Sequence, residues 1–258
     1  MNTNIIKRHT IRDILTLTHR NLLKMRHNPD NVSDVLIQPI IFTLLFGYLF
    51  GGVIAGSVHA YLPMLVSGIL VQSILNAASG SGQQLREDIN NGIFDRFKTL
   101  PISPIAPLAG QLVGDILRLV LSGGMAILTA LVMGWRPTVN LGALIWALLL
   151  AVFIGWSTSW IFALVGLMVK NAELISSLSM IIILVLTFLS NAFIPIKTLP
   201  HFLQPVVRIN PVSTTITAIR TLLNTGSWNN TATMVLISGA LIIMLFMPLT
   251  VIAYQRRD

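Results

Sequence analysis

Long apolar segments constrain the fold of this chain more than any other feature. Four stretches contain no lysine, arginine, aspartate or glutamate: residues 35–56, 61–83, 141–169 and 231–254. An α-helix crosses the hydrocarbon core of a bilayer with about 20 residues, so each stretch is long enough to span a membrane. Two further apolar segments, 105–133 and 172–193, bring the predicted number of transmembrane helices to six.

The composition also places the chain in a membrane. Only 10% of its 258 residues are charged and 54% are hydrophobic, whereas soluble domains carry about 25% charged residues. The chain is therefore predicted to be an all-α integral membrane protein with one membrane domain over residues 1–258. Residues 1–30 are basic and lack the apolar core of a signal peptide, so no cleavable leader is expected.

Residue content argues against several kinds of active site. The chain has no cysteine, which excludes disulfides, Cys-ligated zinc and thiol catalysis. Its five histidines are scattered, and it has no Gly-x-x-x-x-Gly-Lys phosphate loop. We therefore expect no catalytic, cofactor or metal site in this chain. The net charge of +8 is attributed to loops that face anionic lipid and not to nucleic-acid binding.

Residues 5–27 show an amphipathic pattern, with an apolar stripe and a basic stripe on opposite faces. The apolar stripe comprises Ile11, Ile14, Leu15, Thr18, Leu22 and Met25, and the opposing stripe comprises Arg12, Thr16, Arg20, Lys24 and His27. We predict a helix that lies in the membrane interface with its basic face toward lipid phosphates. A disordered basic tail is the alternative.

The distribution of lysine and arginine predicts the orientation. If the N-terminus is cytoplasmic, twelve basic residues fall on the cytoplasmic side and four on the outer side. The cytoplasmic set comprises Lys7, Arg8, Arg12, Arg20, Lys24, Arg26, Arg86, Arg96, Lys98, Lys170, Arg256 and Arg257, and the outer set Arg136, Lys197, Arg208 and Arg220. The positive-inside rule then places both termini and the loop after the second span in the cytoplasm.

That loop, the 86–103 segment, is unusually charged for a chain of this kind. It holds six of the 26 charged residues. One edge of a predicted short helix carries Ile89, Ile93, Phe94 and Phe97, and the rest carries Glu87, Asp88, Asp95, Arg96 and Lys98. A short helix with two aromatic residues and mixed charges suits insertion into a groove on a soluble partner. The alternative is a loop that packs against its own helix bundle.

Polar residues within the spans mark a second region of interest. The second span carries Gln72, Asn76, Ser79 and Gln83 on one stripe, and the fifth carries Ser176, Ser179 and Thr187. Such stripes either line a transport pathway or form hydrogen bonds between helices. The five candidate pathway residues are Gln72, Asn76, Ser79, Gln83 and Thr187. Gly110-x-x-x-Gly114 permits close helix packing.

One pair of charged residues lies inside the third span. Asp115 and Arg118 are spaced i,i+3. Because a central charge costs about 2.5–3.5 kcal/mol on the insertion scale, we expect this pair to be mutually neutralised, near the cytoplasmic end and facing protein.

The 191–230 segment contains Pro195, Pro200, Pro205 and Pro211. It is too polar and too often interrupted by proline to span a membrane, yet it contains many apolar residues. We predict short interfacial or re-entrant helices on the outer face.

The run from Asn91 to Ser103 resembles the corresponding segment of type-2 ABC transporter permeases, especially the daunorubicin-resistance-like exporters. Gly110, Gly114, Asp115 and Arg118 resemble the start of their third span. Asn191-Ala192-Phe193-Ile194-Pro195, Leu199-Pro200, Leu203-Gln204-Pro205 and Asn210-Pro211 resemble their outer loop.

The resemblance implies a permease subunit that exports a hydrophobic or amphiphilic compound across a bacterial cell membrane. It implies that the 86–103 segment is a coupling helix in a cleft of a separate ATP-binding subunit, which holds ATP and Mg. The implied coupling residues are Glu87, Asp88, Ile89, Gly92, Ile93, Phe94, Asp95, Arg96, Phe97 and Lys98. Two permease copies and two ATPases usually form such an exporter.

Three other functions would each need features of their own. A polysaccharide or glycolipid exporter of the same class would be favoured by an aromatic stripe, which the three tyrosines and five tryptophans do not form. An ion-coupled secondary transporter would need buried acids in broken helices and ideally an internal repeat. An intramembrane enzyme would need clustered catalytic groups, but the nine acids are dispersed.

Overall fold

The computed structural model describes residues 3–27, 29–98 and 102–256, with the side chains of 3–9, 26, 27, 29–34, 94, 95 and 98 left out. These residues form helices and no strands. The long helices are α1 (Thr3–His27), α2 (Pro29–Ala55), α3 (Val58–Asn90), α5 (Ala106–Val132), α6 (Leu141–Met168), α7 (Ala172–Phe188) and α10 (Asn230–Gln255). The shorter ones are α4 (Ile93–Lys98), α8 (Gln204–Ile209) and α9 (Pro211–Thr225), with a 3-10 turn at Ile196–Thr198.

Polar side chains fix where several helices begin. Asn140 precedes α6 and its Oδ1 accepts a hydrogen bond from the backbone N–H of Ala143 at 2.9 Å. Asn171 caps α7 and Asn229 caps α10 in the same way. An asparagine at this position satisfies an N–H group that the helix itself leaves unpaired. These caps stabilise the first turns of α6, α7 and α10.

The described part of the chain is a multi-pass membrane protein with α3 at its centre. Helix α3 packs against α2, α5, α6, α7 and α9, and it is the most buried of the long apolar helices. Helices α3 and α6 meet at Gly82 and Gly166, where a side chain on either residue would collide with the opposite backbone. Because lipid gives apolar side chains no reason to associate, such close backbone contact is a main source of helix association in a bilayer.

The span count agrees with the sequence for five helices. Within the described residues, helices α2, α3, α5, α6 and α10 are long and apolar enough to cross a membrane. The sixth, α7, has 17 residues and ends at Phe188, although its span was predicted to reach residue 193. Asn210 accounts for the early end, because its Nδ2 donates to the carbonyls of Leu186 and Leu189 at 2.7 Å each. A sixth crossing stays a prediction.

The 191–230 segment contains short helices as predicted, but α9 is more than a surface element. It packs against α3, α6 and α10. The Arg220 guanidinium donates to Ser67 Oγ at 3.0 Å and to the Asn191 carbonyl at 2.7 Å. Arg220 thereby ties α9 to α3 and to the segment that follows α7. Whether this segment is re-entrant stays a prediction.

The 86–103 segment differs from its prediction. It is not one short helix, because α3 continues to Asn90 and therefore includes Glu87, Asp88 and Ile89. A turn at Asn91 and Gly92 then separates α3 from the six-residue helix α4. Gly92 has φ +65°, a left-handed conformation that glycine adopts without steric cost.

Candidate functional site

A cavity of about 550 Å³ lies on α3, between α2 and α7, with α5 behind it. Sites for drug-sized molecules enclose roughly 300–1,000 Å³, so this volume suits a small organic compound. Three of the predicted pathway residues, Asn76, Ser79 and Gln83, line it. The polar stripe of the second span therefore faces open space over most of its length.

The other two predicted pathway residues lie elsewhere. Gln72 and Thr187 are buried and do not line the cavity. Gln72 Oε1 and Thr187 Oγ1 also have no hydrogen-bond partner among the described residues. Their polar atoms belong to the packed interior of the bundle.

Apolar side chains form the wall opposite the polar stripe. Helix α2 contributes Val35, Ile37, Ile41 and Phe42, and α7 contributes Met180. The sequence does not distinguish these residues, because an apolar residue that lines a cavity looks like one that faces lipid. Gln38, which also lines the cavity, did carry a signal, since it is the only amide side chain in residues 35–56.

Hydrogen bonds join α7 to α3 at one end of the cavity. The Ser176 hydroxyl donates to Gln83 Oε1 at 2.5 Å, and Gln83 Nε2 donates to Glu87 Oε1 at 3.1 Å. All three residues line the cavity. The Glu87 carboxylate, predicted to contact a partner, therefore lies where the cavity meets the last turn of α3.

The charged pair of the third span is buried as predicted. Arg118 Nη2 lies 3.1 Å from Asp115 Oδ1 and donates to Ser81 Oγ of α3 at 3.2 Å. Arg118 also lines the cavity. The partner carboxylate and the hydroxyl offset part of the cost of burying this guanidinium, while Arg118 Nε and Asp115 Oδ2 have no hydrogen-bond partner among the described residues. The Arg118–Ser81 hydrogen bond joins α5 to α3 behind the cavity.

Two predicted partner-facing residues pack within the chain. Asp88 is buried, and Lys24 Nζ of α1 lies 2.6 Å from its Oδ1. Ile89 packs against a second apolar cluster that contains Leu85 and Leu108. The side chains of Phe94, Asp95 and Lys98 lie outside the described residues. Within α4, Arg96 is exposed and Ile93 and Phe97 are partly exposed.

Helix α1 contacts each part of the 86–103 segment. Besides the Lys24–Asp88 pair, the Arg20 guanidinium carbon lies 5.1 Å from the centre of the Phe97 ring. Asp13 Oδ2 accepts a hydrogen bond from the backbone N–H of Ser103 at 3.0 Å. The basic stripe of α1 was predicted to face lipid, and two of its members instead contact this segment.

Helix α1 packs against the bundle at Gly110 of α5. A Cβ added there would lie 2.8 Å from Leu17 Cβ and 3.1 Å from the Ile14 carbonyl oxygen. Leu17 is buried, whereas Ile11 and Leu15 of the predicted apolar stripe are exposed. The packed face of α1 is therefore rotated from the predicted face, because it follows the small residues of α5.

Known proteins are similar to this chain in sequence. A family model described as ABC-2 type transporter matches residues 12–224. The daunorubicin resistance ABC transporter permease protein DrrB1 of Streptomyces coeruleorubidus is 37% identical over 247 residues, which are 94% of this chain and 87% of that protein.

The chain belongs to the ABC-2 type transporter family. More distant relatives of this ABC-2 permease include the putative transport permease ycf38 of Porphyra purpurea, 28% identical over 88% of this chain and 79% of that protein. The probable doxorubicin resistance ABC transporter permease protein DrrC of Mycobacterium tuberculosis strain H37Rv is 21% identical over 80% of this chain and 75% of that protein. Relatives named as permeases make this chain a transport subunit.

Proposed function

We propose that this permease is the membrane subunit of an ATP-driven exporter, and that a separate ATP-binding subunit binds at the 86–103 segment. One observation carries the proposal: α4 follows, after a two-residue turn, the same helix α3 that lines the cavity. A force applied to α4 would pass through the turn at Asn91 and Gly92 into α3 and so reach the cavity. ATP and Mg bind the partner subunit and not this chain.

Two copies of the permease and two ATPases form the proposed complex. It lies in a bacterial cell membrane, with both termini of each permease and the 86–103 segment on the cytoplasmic side. The twelve-to-four distribution of basic residues supports this orientation. ATP-driven closure of the paired ATPases would move α4 as a rigid body, and nucleotide would supply the difference in stability between two states.

The proposed cargo is a hydrophobic or amphiphilic compound that moves outward. The cavity supports this class because a polar stripe of α3 faces an apolar wall of α2. A glycan exporter is less well supported, since Phe42 is the only aromatic among the described residues that line the cavity, and sugar sites favour stacking on several rings. The names of the two bacterial relatives, which refer to daunorubicin and doxorubicin resistance, agree with an amphiphilic cargo.

Alanine substitution at Phe97 tests the proposed docking of the ATPase. The permease is purified with the ATPase expressed alongside it, and both assembly and substrate-stimulated ATP hydrolysis are measured. Phe97→Ala removes a partly exposed ring from α4 and is expected to lower assembly or stimulation at least about tenfold, as for an interface hot spot. The permease alone is expected to remain folded.

Two control variants separate docking from effects inside the chain. Arg20→Gln removes the cation that lies over the Phe97 ring but keeps the ring, and it is expected to retain assembly. Phe202→Ala makes the same substitution at an exposed phenylalanine of the 191–230 segment and is expected to have no effect. Unchanged assembly and ATP hydrolysis in Phe97→Ala would contradict the assignment of this segment.

A further inference from the structure

The two ionisable residues that line the cavity within the described chain are Glu87 and Arg118. Arg118 is balanced by Asp115 at 3.1 Å, so this pair adds a dipole but no net charge. Glu87 accepts one hydrogen bond, from Gln83, and it has no cationic partner among the described side chains. Among the described residues that line the cavity, Glu87 is therefore the acidic residue that no basic side chain balances, and its carboxylate makes the potential of the cavity negative.

The position of Glu87 on its helix strengthens this negative potential. Glu87 lies in the last turn of α3, which ends at Asn90. The C-terminus of an α-helix carries a partial negative charge from its aligned peptide dipoles, and this charge favours cations nearby. The carboxylate and the helix end therefore act in the same direction.

The apolar wall of the cavity restricts which kind of cationic molecule fits there. Ile37, Ile41, Phe42 and Met180 present hydrocarbon and sulfur to the same cavity. A small inorganic cation would leave this surface without a partner. A molecule with an apolar body and a positively charged amine would bury its body against α2 and α7 and place its amine at Glu87.

We propose that Glu87 makes this cavity selective for amphiphiles that carry a protonated amine. The inference rests on the proposed function, because it names the class of cargo for the same cavity. Glu87 then serves recognition inside the membrane domain, a different role from the contact with a partner predicted for it from the sequence. A bound amine would also contact the helix end that leads directly into α4.

A pair of fluorescent probes that differ only in charge tests the proposal. The first is monodansylcadaverine, an apolar dansyl fluorophore joined by an alkyl chain to a primary amine, which is protonated at neutral pH. The second is its N-acetyl derivative, which is neutral. Binding to the full chain in lipid vesicles, without any ATPase, is followed by energy transfer from the chain's tryptophans to the dansyl group.

The substitution Glu87→Gln keeps the size of the side chain and removes its charge. We expect the affinity for the amine probe to fall about tenfold, as for the loss of one charge-assisted hydrogen bond. The affinity for the acetylated probe is expected to stay within about twofold. Glu173→Gln removes an exposed carboxylate near the start of α7, outside the cavity, and is expected to change neither affinity.

A variant that gains charge keeps the test decisive if Glu87→Gln folds poorly. Gln38→Glu adds a second carboxylate to the α2 side of the cavity and is expected to strengthen binding of the amine probe alone. The proposal is overturned if the parent chain shows no saturable amine binding, or if Glu87→Gln weakens both probes equally or neither. Because no ATPase is present, such a failure leaves the docking test at Phe97 intact, and a failure at Phe97 leaves this test intact.

Discussion

At the scale of single residues, two ion pairs differ in how far the sequence predicts them. One is the buried Asp115–Arg118 pair, and the other is the pair of the buried Asp88 with the partly exposed Lys24. Asp115 and Arg118 lie on one helix at i,i+3, so their contact was predictable from spacing alone. Lys24 and Asp88 lie 64 positions apart and meet only because α1 folds back onto the end of α3. The sequence instead indicated lipid for Lys24 and a protein partner for Asp88. No sequence feature near Lys24 or Asp88 indicates that these two residues would meet.

Removing Lys24 is predicted to destabilise the permease. Lys24→Ala leaves the buried Asp88 carboxylate without its cation, which costs about 1–3 kcal/mol. The measurement is the midpoint of thermal unfolding of the purified chain in detergent. The double variant Lys24→Ala/Asp88→Ala is expected to recover part of the loss, because no buried charge is then left unpaired.

Lys170→Ala is the matched control for this prediction. Lys170 is an exposed lysine between α6 and α7, and its removal is expected to change stability by less than about 0.5 kcal/mol. Equal midpoints for Lys24→Ala and Lys170→Ala would show that the Lys24–Asp88 pair contributes nothing to the fold.

At the scale of elements, the sequence predicted α1 and the apolar spans but not that α1 packs against α5. The Gly110-x-x-x-Gly114 pattern indicated close packing without a partner, and the structure gives α1 as that partner. The break between α3 and α4 had a local signal, since Asn91-Gly92 is a turn dipeptide. The helical spacing from Ile89 to Phe97 instead predicted one helix, although Ile89 lies on α3 and Phe97 lies on α4.

A larger side chain at Gly110 is predicted to displace α1. Gly110→Val places methyl groups where Leu17 now lies, 2.8 Å from the position of an added Cβ. The chain has no cysteine, so a single cysteine introduced at Leu17 reports its exposure through its rate of maleimide labelling. Labelling is expected to be at least about tenfold faster in the Gly110→Val background, because the buried site then opens.

The same helix offers a control for the Gly110 substitution. An added Cβ on Gly124 of α5 meets no atom within 4 Å, so Gly124→Val is expected to leave the labelling rate unchanged. If Gly110→Val also left the labelling rate unchanged, Gly110 would not be the residue against which α1 packs.

At the scale of the whole molecule, α3 links the cavity, the buried Asp115–Arg118 pair and the 86–103 segment. The sequence predicted the membrane class and the polar stripe of α3 that lines the cavity, because composition and helical stripes are local properties. The cytoplasmic orientation and the role of the stripe in transport stay predictions. The sequence missed the apolar wall of α2 and the early end of α7. Both depend on contacts between distant residues, such as the hydrogen bonds from Asn210 to the carbonyls of Leu186 and Leu189 at the end of α7 and just after it.

The most direct test of the account is vectorial transport driven by ATP. Inside-out vesicles that contain the permease and its co-expressed ATPase are supplied with monodansylcadaverine, and its accumulation in the lumen is followed with and without ATP. The account predicts accumulation that requires ATP and the ATPase, is lost in Phe97→Ala and is retained in Phe202→Ala. Accumulation that proceeds without ATP and follows a proton gradient would contradict it.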